Sequence, residues 1–333
     1  MKKSYLFLFL IIIIAISIFT VRFLPDYLSV TYNDLPVEIE VKKGANLNSV
    51  AEDLYEKNII RSRLWFRYNG QDIARSIKPG TYTIPSKVEL NEVYEILQNG
   101  EDESQIKLTF PEGFILYQFA KKVEESGLAS SEEFIKETDD YFNKMGYTFD
   151  PSNLYFKMEG YLFPDTYYFT KDQSVTEIVT KLAETMEDVF TDEYLNKAKE
   201  MNLTTHDVLT IASLIEREAY NDEERARISG VIYNRLDIGM PLQIDASVIY
   251  GLGEGKEHKT KVLLEDLKVD NPFNTYKNPG LPPGPIASPG KKSIQAALYP
   301  EEHDYFYYVM GENGHVFAKT FAEHENNIKK YRK

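Results

Sequence analysis

An uncharged apolar run near the N-terminus decides which part of this chain must fold in water. The run extends from Ser4 to Val21, after Lys2 and Lys3, and Arg22 closes it. Its 18 residues are just long enough to cross the hydrocarbon core of a bilayer as a helix. The alternative is a secretory signal, but no small-x-small cleavage site follows the run. We therefore expect an uncleaved transmembrane anchor over residues 1–24.

Charge predicts the orientation of the anchor and excludes one class of partner. The two lysines before the run favour a cytoplasmic N-terminus, with the chain after residue 24 outside the membrane. Without Lys2, Lys3 and Arg22, the 38 basic residues fall to 35, against 52 acidic residues, a balance of −17. A surface of that charge would repel phosphate backbones, so we expect no nucleic-acid partner. The chain has no cysteine, which excludes disulfides, thiolate metal sites and cysteine nucleophiles.

A strand–glycine–helix pattern occurs twice, at an offset of 69 residues. Alternating apolar residues before Gly44 and before Gly113 predict a strand in each copy. Apolar residues at helical spacing follow each glycine and predict a helix. Two copies cannot make a solenoid, so the repeat predicts a pair of small α/β modules.

The first copy continues into a second predicted strand and a short helix. Lys78–Ile84 predicts a turn that enters a strand, and residues 90–97 predict a helix that ends at Asn99 and Gly100. Residues 37–103 therefore resemble the LysM-like fold of wall-binding modules, in which helices pack against a small sheet. The predicted division is a transmembrane anchor (1–24), a linker (25–36), the LysM-like module (37–103), a second small α/β module (104–158) and a catalytic domain (159–333).

The C-terminal part has a mixed pattern, which makes the predicted fold class α+β. Helices are predicted at about 174–190 and 192–200. The aromatic run at 305–310 and the segment 314–318 predict a hairpin, and a charged helix follows it.

A helix beginning near Val208 has two glutamates beside its apolar stripe. Ile211, Ala212, Ile215 and Ala219 form the stripe, while Glu218 lies at one margin and Glu216 at the other. A carboxyl at such a margin is partly desolvated, which raises its pKa and favours proton donation near neutral pH. The helical wheel does not choose between the two glutamates. Glutamates are rarely fully buried, so two surface charges are the ordinary alternative.

Several longer motifs surround this helix. They are Glu159-Gly-Tyr-Leu-Phe-Pro-Asp-Thr-Tyr, Ala212-Ser-Leu-Ile-Glu-Arg-Glu218, Val231-Ile-Tyr-Asn-Arg-Leu, Gly239-Met-Pro-Leu-Gln-Ile-Asp-Ala-Ser-Val-Ile-Tyr-Gly251, Asn274-Thr-Tyr276 and Gly280-Leu-Pro-Pro-Gly-Pro-Ile-Ala-Ser-Pro-Gly290. Together they resemble the endolytic murein transglycosylase (YceG-like) family over nearly the whole chain. In the Glu-x-Glu pattern of that family the second glutamate is catalytic, which implies Glu218. The role of Glu216 stays open.

The resemblance implies a lytic transglycosylase, which cleaves peptidoglycan glycan strands without water. The bond cut is the β-1,4 link between N-acetylmuramic acid and N-acetylglucosamine. The C6 hydroxyl of the muramic acid attacks its own anomeric carbon and leaves a 1,6-anhydro end, so one glutamate can first donate and then accept a proton. The family context implies that the enzyme terminates or trims nascent strands at the cell membrane, beside peptidoglycan synthases.

Other polar residues of the motifs are candidates for substrate binding. We expect this group to comprise Gln243, Asp245, Tyr250, Asn274 and Tyr276, which would line the cleft, with Asn234 and Arg235 at the end of the preceding helix. Each could equally hold the fold by a hydrogen bond. The five histidines form no H-E-x-x-H motif and no cluster, so we predict no metal and no cofactor.

Two alternative functions stay open. A muramidase that hydrolyses the bond needs a second carboxylate, for which Asp245 is the best candidate. A non-catalytic wall-binding scaffold would bind glycan and cleave nothing.

Overall fold

The chain forms two compact units in a computed structural model. This structure describes residues 28, 30–33, 35–42, 44–99, 105–147, 149–256 and 261–332. The first unit ends at Gln105, and the second runs from Ile106 to Lys333. The predicted anchor at residues 1–24 lies outside the described residues, and none of the helices within them is long and apolar enough to cross a bilayer. Helices with small sheets confirm the α+β class.

The first unit is a two-stranded sheet covered by helices. Its elements are β1 (Val37–Val41), α1 (Leu47–Glu56), α2 (Arg63–Asn69), β2 (Gly80–Ile84) and α3 (Leu90–Asn99). Strands β1 and β2 are antiparallel, with Val37 opposite Ile84. Apolar side chains from both strands and all three helices share one core, which includes Leu54, Phe66 and Tyr82. Alternation along each strand turns one face toward this core.

The second unit is mainly helical and contains two further sheets. Its elements are β3 (Gln105–Thr109), α4 (Leu116–Glu125), α5 (Ser131–Met145), β4 (Thr166–Thr170), α6 (Val175–Val189), α7 (Asp192–Glu200), α8 (Thr205–Glu218), α9 (Arg225–Asp237), α10 (Asp245–Leu252), α11 (Lys291–Leu298), β5 (Tyr307–Met310), β6 (His315–Ala318) and α12 (Phe321–Tyr331). Strand β3 pairs with β4, and β5 pairs with β6 as an antiparallel hairpin. The predicted hairpin and final helix are therefore present.

The predicted boundary between residues 158 and 159 is corrected by the structure. Strand β3, from the predicted second module, pairs with β4, from the predicted catalytic domain. One hydrophobic core includes Phe110 and Phe119 from the first segment and Leu182 and Ile211 from the second. The physical reason is that one strand and two helices cannot bury their apolar faces alone. Residues 104–158 therefore belong to the same unit as the site.

The repeated strand–glycine–helix pattern is found in both units. Gly44 follows β1 with φ of +86°, and Gly113 follows β3 with φ of +79°. The left-handed conformation turns the chain between strand and helix, and glycine adopts it without a steric cost. The two copies differ in their strand partners, because β1 pairs with β2 and β3 pairs with β4.

Helix α8 is the central helix of the second unit. Every residue from Val208 to Ile215 is buried, whereas the sequence predicted a single apolar stripe. Polar residues in this stretch are satisfied internally; Ser213, for example, accepts a hydrogen bond from the Ile286 backbone at 3.0 Å. The first turn of α8 and its last turn, which contains Glu216 and Glu218, are partly exposed. The helix therefore emerges from the core at its two glutamates.

Candidate active site

Helix α8 ends in a cleft of about 290 Å³. The lining residues come from six parts of the chain and are Glu218, Arg235, Leu242, Gln243, Asp245, Tyr276, Tyr307, Tyr308, Phe321, His324, Ile328 and Arg332. Within the part of the chain that the structure describes, no three His, Asp or Glu side chains are grouped so that they could hold a metal ion. The side chains that line the cleft supply carboxyl, amide, phenol, imidazole and guanidinium groups.

Glu218 is the carboxyl group at the end of α8. The hydroxyl of Tyr308, on β5, donates a hydrogen bond to its Oε2 at 3.0 Å. Burial raises the pKa of the Glu218 carboxyl from 4.5 to about 7. The Tyr308 hydrogen bond opposes this rise, the charge of Asp245 adds to it, and the charge of Arg217 opposes it more weakly. Near neutral pH this group can therefore both donate and accept a proton.

Gln243 and Asp245 lie where the chain enters α10. Their side chains are exposed, whereas those of Leu242 and Ile244 are buried. Gln243 has φ of +51°, so the left-handed conformation at this residue, and not a regular extended chain, places it. The backbone N–H groups of Gln243 and Ile244 donate to Thr275, which fixes this segment against the neighbouring loop. Asp245 then begins α10, where a carboxylate is favoured by the helix dipole.

Tyr276 completes this wall of the cleft. Its hydroxyl donates to Oδ1 of Asp245 at 2.6 Å. The predicted residues Gln243, Asp245 and Tyr276 therefore meet Glu218 in one cleft.

Arg235 lines the cleft but is occupied by the backbone. It donates to the carbonyl oxygens of Phe306 at 2.6 Å, Leu242 at 2.7 Å and Pro241 at 3.2 Å. Its guanidinium also lies 5.3 Å from the ring centre of Tyr307. A buried arginine with three carbonyl partners joins the β5 segment to the Gln243 segment, so it holds two walls of the cleft together.

Three predicted binding residues do not line the cleft, which corrects that prediction. The Tyr250 hydroxyl donates to Glu159 at 3.1 Å. The Asn274 side chain donates to the backbone oxygens of Leu267 and Val269, and that of Asn234 to those of His303 and Tyr305. Buried amide and phenol groups must find partners, and here each finds them within the protein.

Glu216 is held in an environment unlike that of Glu218. Its side chain is 6% exposed and forms an ion pair with Arg225 at 3.0 Å. Its other carboxyl oxygen accepts the Gly290 backbone N–H at 3.0 Å. Both oxygens of Glu216 are therefore used to hold α8 against α9 and the start of α11.

The C-terminal hairpin and helix contribute a wall of the cleft that was not predicted from the sequence. These residues are Tyr307, Tyr308, Phe321, His324, Ile328 and Arg332. The aromatic run at 305–310 was visible as a strand of the hairpin, but its distance of about 90 residues from Glu218 gave no sign that the two meet. The hairpin is directed there by Glu224, which accepts the His315 backbone N–H at 2.7 Å and contacts its Nδ1 at 2.8 Å.

Comparisons with known proteins agree with this architecture. The model of the YceG-like family matches residues 39–330. An endolytic murein transglycosylase of Bacillus subtilis (strain 168) is 34% identical over 307 residues, which covers 89% of this chain and 84% of the relative. A protein of the same name from Streptococcus pneumoniae serotype 2 (strain D39) is 29% identical over 320 residues. That match covers 88% of this chain and 58% of the streptococcal protein, so the chain spans little more than half of that relative.

A solved structure has a similar fold. The crystal structure of a yceG-like protein from Listeria monocytogenes superimposes with a TM-score of 0.63 and is 31% identical. The superposition covers 88% of this chain and 99% of the Listeria chain. Because the family model and these relatives all span most of its length, the chain belongs to the YceG-like family.

Proposed function

We propose that this protein is an endolytic lytic transglycosylase of peptidoglycan. Its reaction cuts the β-1,4 bond between N-acetylmuramic acid and N-acetylglucosamine and leaves a 1,6-anhydro end. The observation that carries the proposal is Glu218, a partly buried carboxyl in a cleft, with a pKa of about 7. The relatives from Bacillus and Streptococcus bear the name of this activity.

One carboxyl group is sufficient for both proton transfers of this reaction. Protonated Glu218 donates its proton to the glycosidic oxygen as the bond to the muramic acid C1 breaks. The C6 hydroxyl of the same sugar bonds to C1, and its proton passes to the Glu218 carboxylate. The nucleophile belongs to the substrate, so proximity replaces a second catalytic carboxylate and no water is consumed.

Two neighbours prepare Glu218 for this role. Tyr308 donates a hydrogen bond to Oε2 and so helps to orient the Glu218 carboxyl group in the cleft. The charge of Asp245 raises the pKa of Glu218, after the larger effect of burial. The Asp245 carboxylate also stabilises the positive charge that develops at the sugar in an oxocarbenium-like transition state.

A hydrolase is the second candidate, because Asp245 lies in the same cleft as Glu218. In that mechanism Asp245 would activate water or attack the sugar, and its loss would abolish cleavage. In the transglycosylase mechanism Asp245 acts only through its charge, so Asp245→Asn would keep part of the activity. The two functions therefore differ in how far Asp245→Asn lowers the rate of cleavage.

The location of the reaction follows from the expected anchor. The enzyme is a single-pass membrane protein with its N-terminus in the cytoplasm and its cleft outside the cell membrane. Lys2 and Lys3 before the apolar run support this orientation. In that position it acts beside peptidoglycan synthases and terminates or trims the strands that they make.

Cleavage of purified glycan strands by the full chain tests the proposal. Glu218→Gln should lower the rate at least about a hundredfold, the size expected for loss of a general acid. Glu216→Gln is the matched control, with the same substitution on the same helix, and should keep substantial activity. A folded Glu218→Gln protein that cuts at the wild-type rate would overturn the proposal. Loss of cleavage in Glu216→Gln with Glu218→Gln active would assign the chemistry to the other glutamate.

A further inference from the structure

The cleft has one acidic wall and one basic wall. Glu218 and Asp245 form the acidic part of the lining, and α12, with Arg332 at its end, forms the basic part. We call Phe321, His324, Ile328 and Arg332 the α12 wall. A basic wall is unexpected on a chain with a net charge of −14. It therefore requires an explanation in terms of what enters the cleft.

Arg332 is the residue of this wall with an available charge. Its side chain is exposed, and none of the ion pairs among residues 28–332 that the structure describes includes it. Arg235, the other guanidinium of the cleft, is buried and bound to three carbonyl oxygens. Arg235 therefore contributes to the positive potential, while Arg332 can form new hydrogen bonds.

The imidazole of the α12 wall adds no competing charge. Burial lowers the pKa of His324, and the charges of Arg235 and Arg332 lower it further. The ring is held by stacking on Tyr307, with ring centres 5.2 Å apart. His324 is therefore neutral at physiological pH, and the positive charge of this wall comes from the guanidinium groups.

Packing does not explain why Arg332 lies at the cleft. None of the residues of α12 is buried. The helix rests on the hairpin through aromatic contacts such as Phe321 with Tyr307, whose ring centres are 5.9 Å apart. The fold therefore makes little use of the polar end of α12, and contact with the substrate is the role left for its cation.

We propose that Arg332 and the α12 wall form a subsite for a carboxylate carried by the muramic acid of the glycan strand. The inference rests on the proposed function and adds the group that the enzyme recognises. N-acetylmuramic acid differs from N-acetylglucosamine by a lactyl ether, which ends in a carboxylate or continues into a stem peptide that bears carboxylates. Guanidinium groups bind carboxylates through charge-assisted, often bidentate hydrogen bonds.

Such a subsite would select the bond that is cut. The Asp245 carboxylate repels a carboxylate of the substrate, and Arg332 of the α12 wall attracts it. A strand in which the sugars were shifted by one residue would lose the contact with Arg332. The preference for the bond after muramic acid, rather than the bond after glucosamine, would then follow from the position of this charge.

Three glycan substrates test the subsite with the full-length protein. They are strands that keep their stem peptides, strands freed of peptide so that lactyl carboxylates are exposed, and peptide-free strands whose carboxylates have been converted to methylamides. We expect the wild-type KM for the methylamide strands to be about tenfold above that for carboxylate strands, the effect of one charge-assisted hydrogen bond at a partly exposed site. Arg332→Ala should remove this difference, and Arg332→Lys should restore part of it.

Lys329→Ala is the matched control, because it removes a positive charge from the exposed face of the same helix. It should keep the wild-type preference. If peptide-bearing strands are preferred over peptide-free strands and Arg332→Ala removes that preference, the carboxylate belongs to the stem peptide. An Arg332→Ala protein that still discriminates as the wild type does would overturn the subsite. Failure of the proposed function is distinct, since the wild-type protein would then cleave none of the three substrates or would leave reducing ends in place of anhydro ends.

Discussion

At the scale of single residues, two glutamates one residue apart differ because of what surrounds them. Glu216 has a cationic partner, Arg225, and a backbone donor, Gly290, which together stabilise its charge. Glu218 accepts hydrogen bonds from the Tyr308 phenol and the Ala246 backbone N–H, but burial outweighs both and destabilises its charge. The sequence could place both at the margins of one helix. It could not distinguish them by physics, because the partners come from distant segments.

The pH dependence of cleavage is the first prediction at this scale. Glu218 must be protonated to start the reaction, so the rate should be constant below pH 7 and fall about tenfold per pH unit above it. Tyr308→Phe removes a hydrogen bond that stabilises the carboxylate, so the pKa of Glu218 should rise and the alkaline limb should move up by about one pH unit. Initial rates between pH 5 and pH 9 measure both effects, with Tyr305→Phe as the control. An unmoved limb in Tyr308→Phe would contradict this account.

The Glu218 carboxyl, which activity requires, should lower the stability of the fold. The folded protein holds the Glu218 proton up to about pH 7, whereas an unfolded chain releases it near 4.5, so the free energy of unfolding falls as the pH rises between these values. Glu218→Gln removes this pH-dependent fall in the free energy of unfolding. At pH 8 the variant should be more stable than wild type by at most about 3 kcal/mol, and at pH 4 the two should be equal.

Urea unfolding at the two pH values checks this prediction. Glu216→Gln provides the contrast, because breaking its buried ion pair with Arg225 should cost about 3 kcal/mol at pH 8. A Glu218→Gln protein less stable than wild type at pH 8 would mean that the Glu218 charge is stabilised by the fold.

At the scale of elements, single helices and strands could be predicted from the sequence, but contacts between elements far apart in the chain could not. The period of apolar residues predicted α8, and the aromatic run at 305–310 with the segment 314–318 predicted the hairpin, which is formed by Tyr307–Met310 and His315–Ala318. The position of the hairpin beside Glu218 depends on Glu224, which comes from a different part of the chain. The burial of α8 on all sides likewise depends on helices that pack around it, so a single stripe was predicted.

The anchoring of the hairpin by Glu224 is the prediction at this scale. Glu224 is 7% exposed and makes two contacts with His315, so Glu224→Ala should leave these groups unpaired and lower the free energy of unfolding by about 2–3 kcal/mol. Cleavage should fall as well, because the hairpin carries Tyr308. Glu312→Ala, an exposed change in the turn of the same hairpin, is the control and should alter neither quantity. Thermal unfolding and strand cleavage measure the two effects; an unchanged Tm in Glu224→Ala would contradict the anchoring role.

At the scale of the whole molecule, the described residues form two separate cores, and the candidate active site lies in the second unit. The first unit buries its own apolar residues around Tyr82, and the second builds its core around α8. The predicted small module at 104–158 is part of the second unit, because β3 supplies the partner of β4. Sequence pattern could place the strands and helices of these segments in order along the chain. It could not show that two adjacent segments share a core, since that is decided by strand pairing.

The origin of the oxygen at the new chain end tests the central claim most directly. Full-length protein would cleave glycan strands in water enriched in heavy oxygen, and the products would be weighed by mass spectrometry. A lytic transglycosylase that uses Glu218 alone gives anhydro ends, one water lighter than reducing ends and free of heavy oxygen. Glu218→Gln should give no products. Reducing ends that carry heavy oxygen, or anhydro ends still formed at the wild-type rate by Glu218→Gln, would contradict the account.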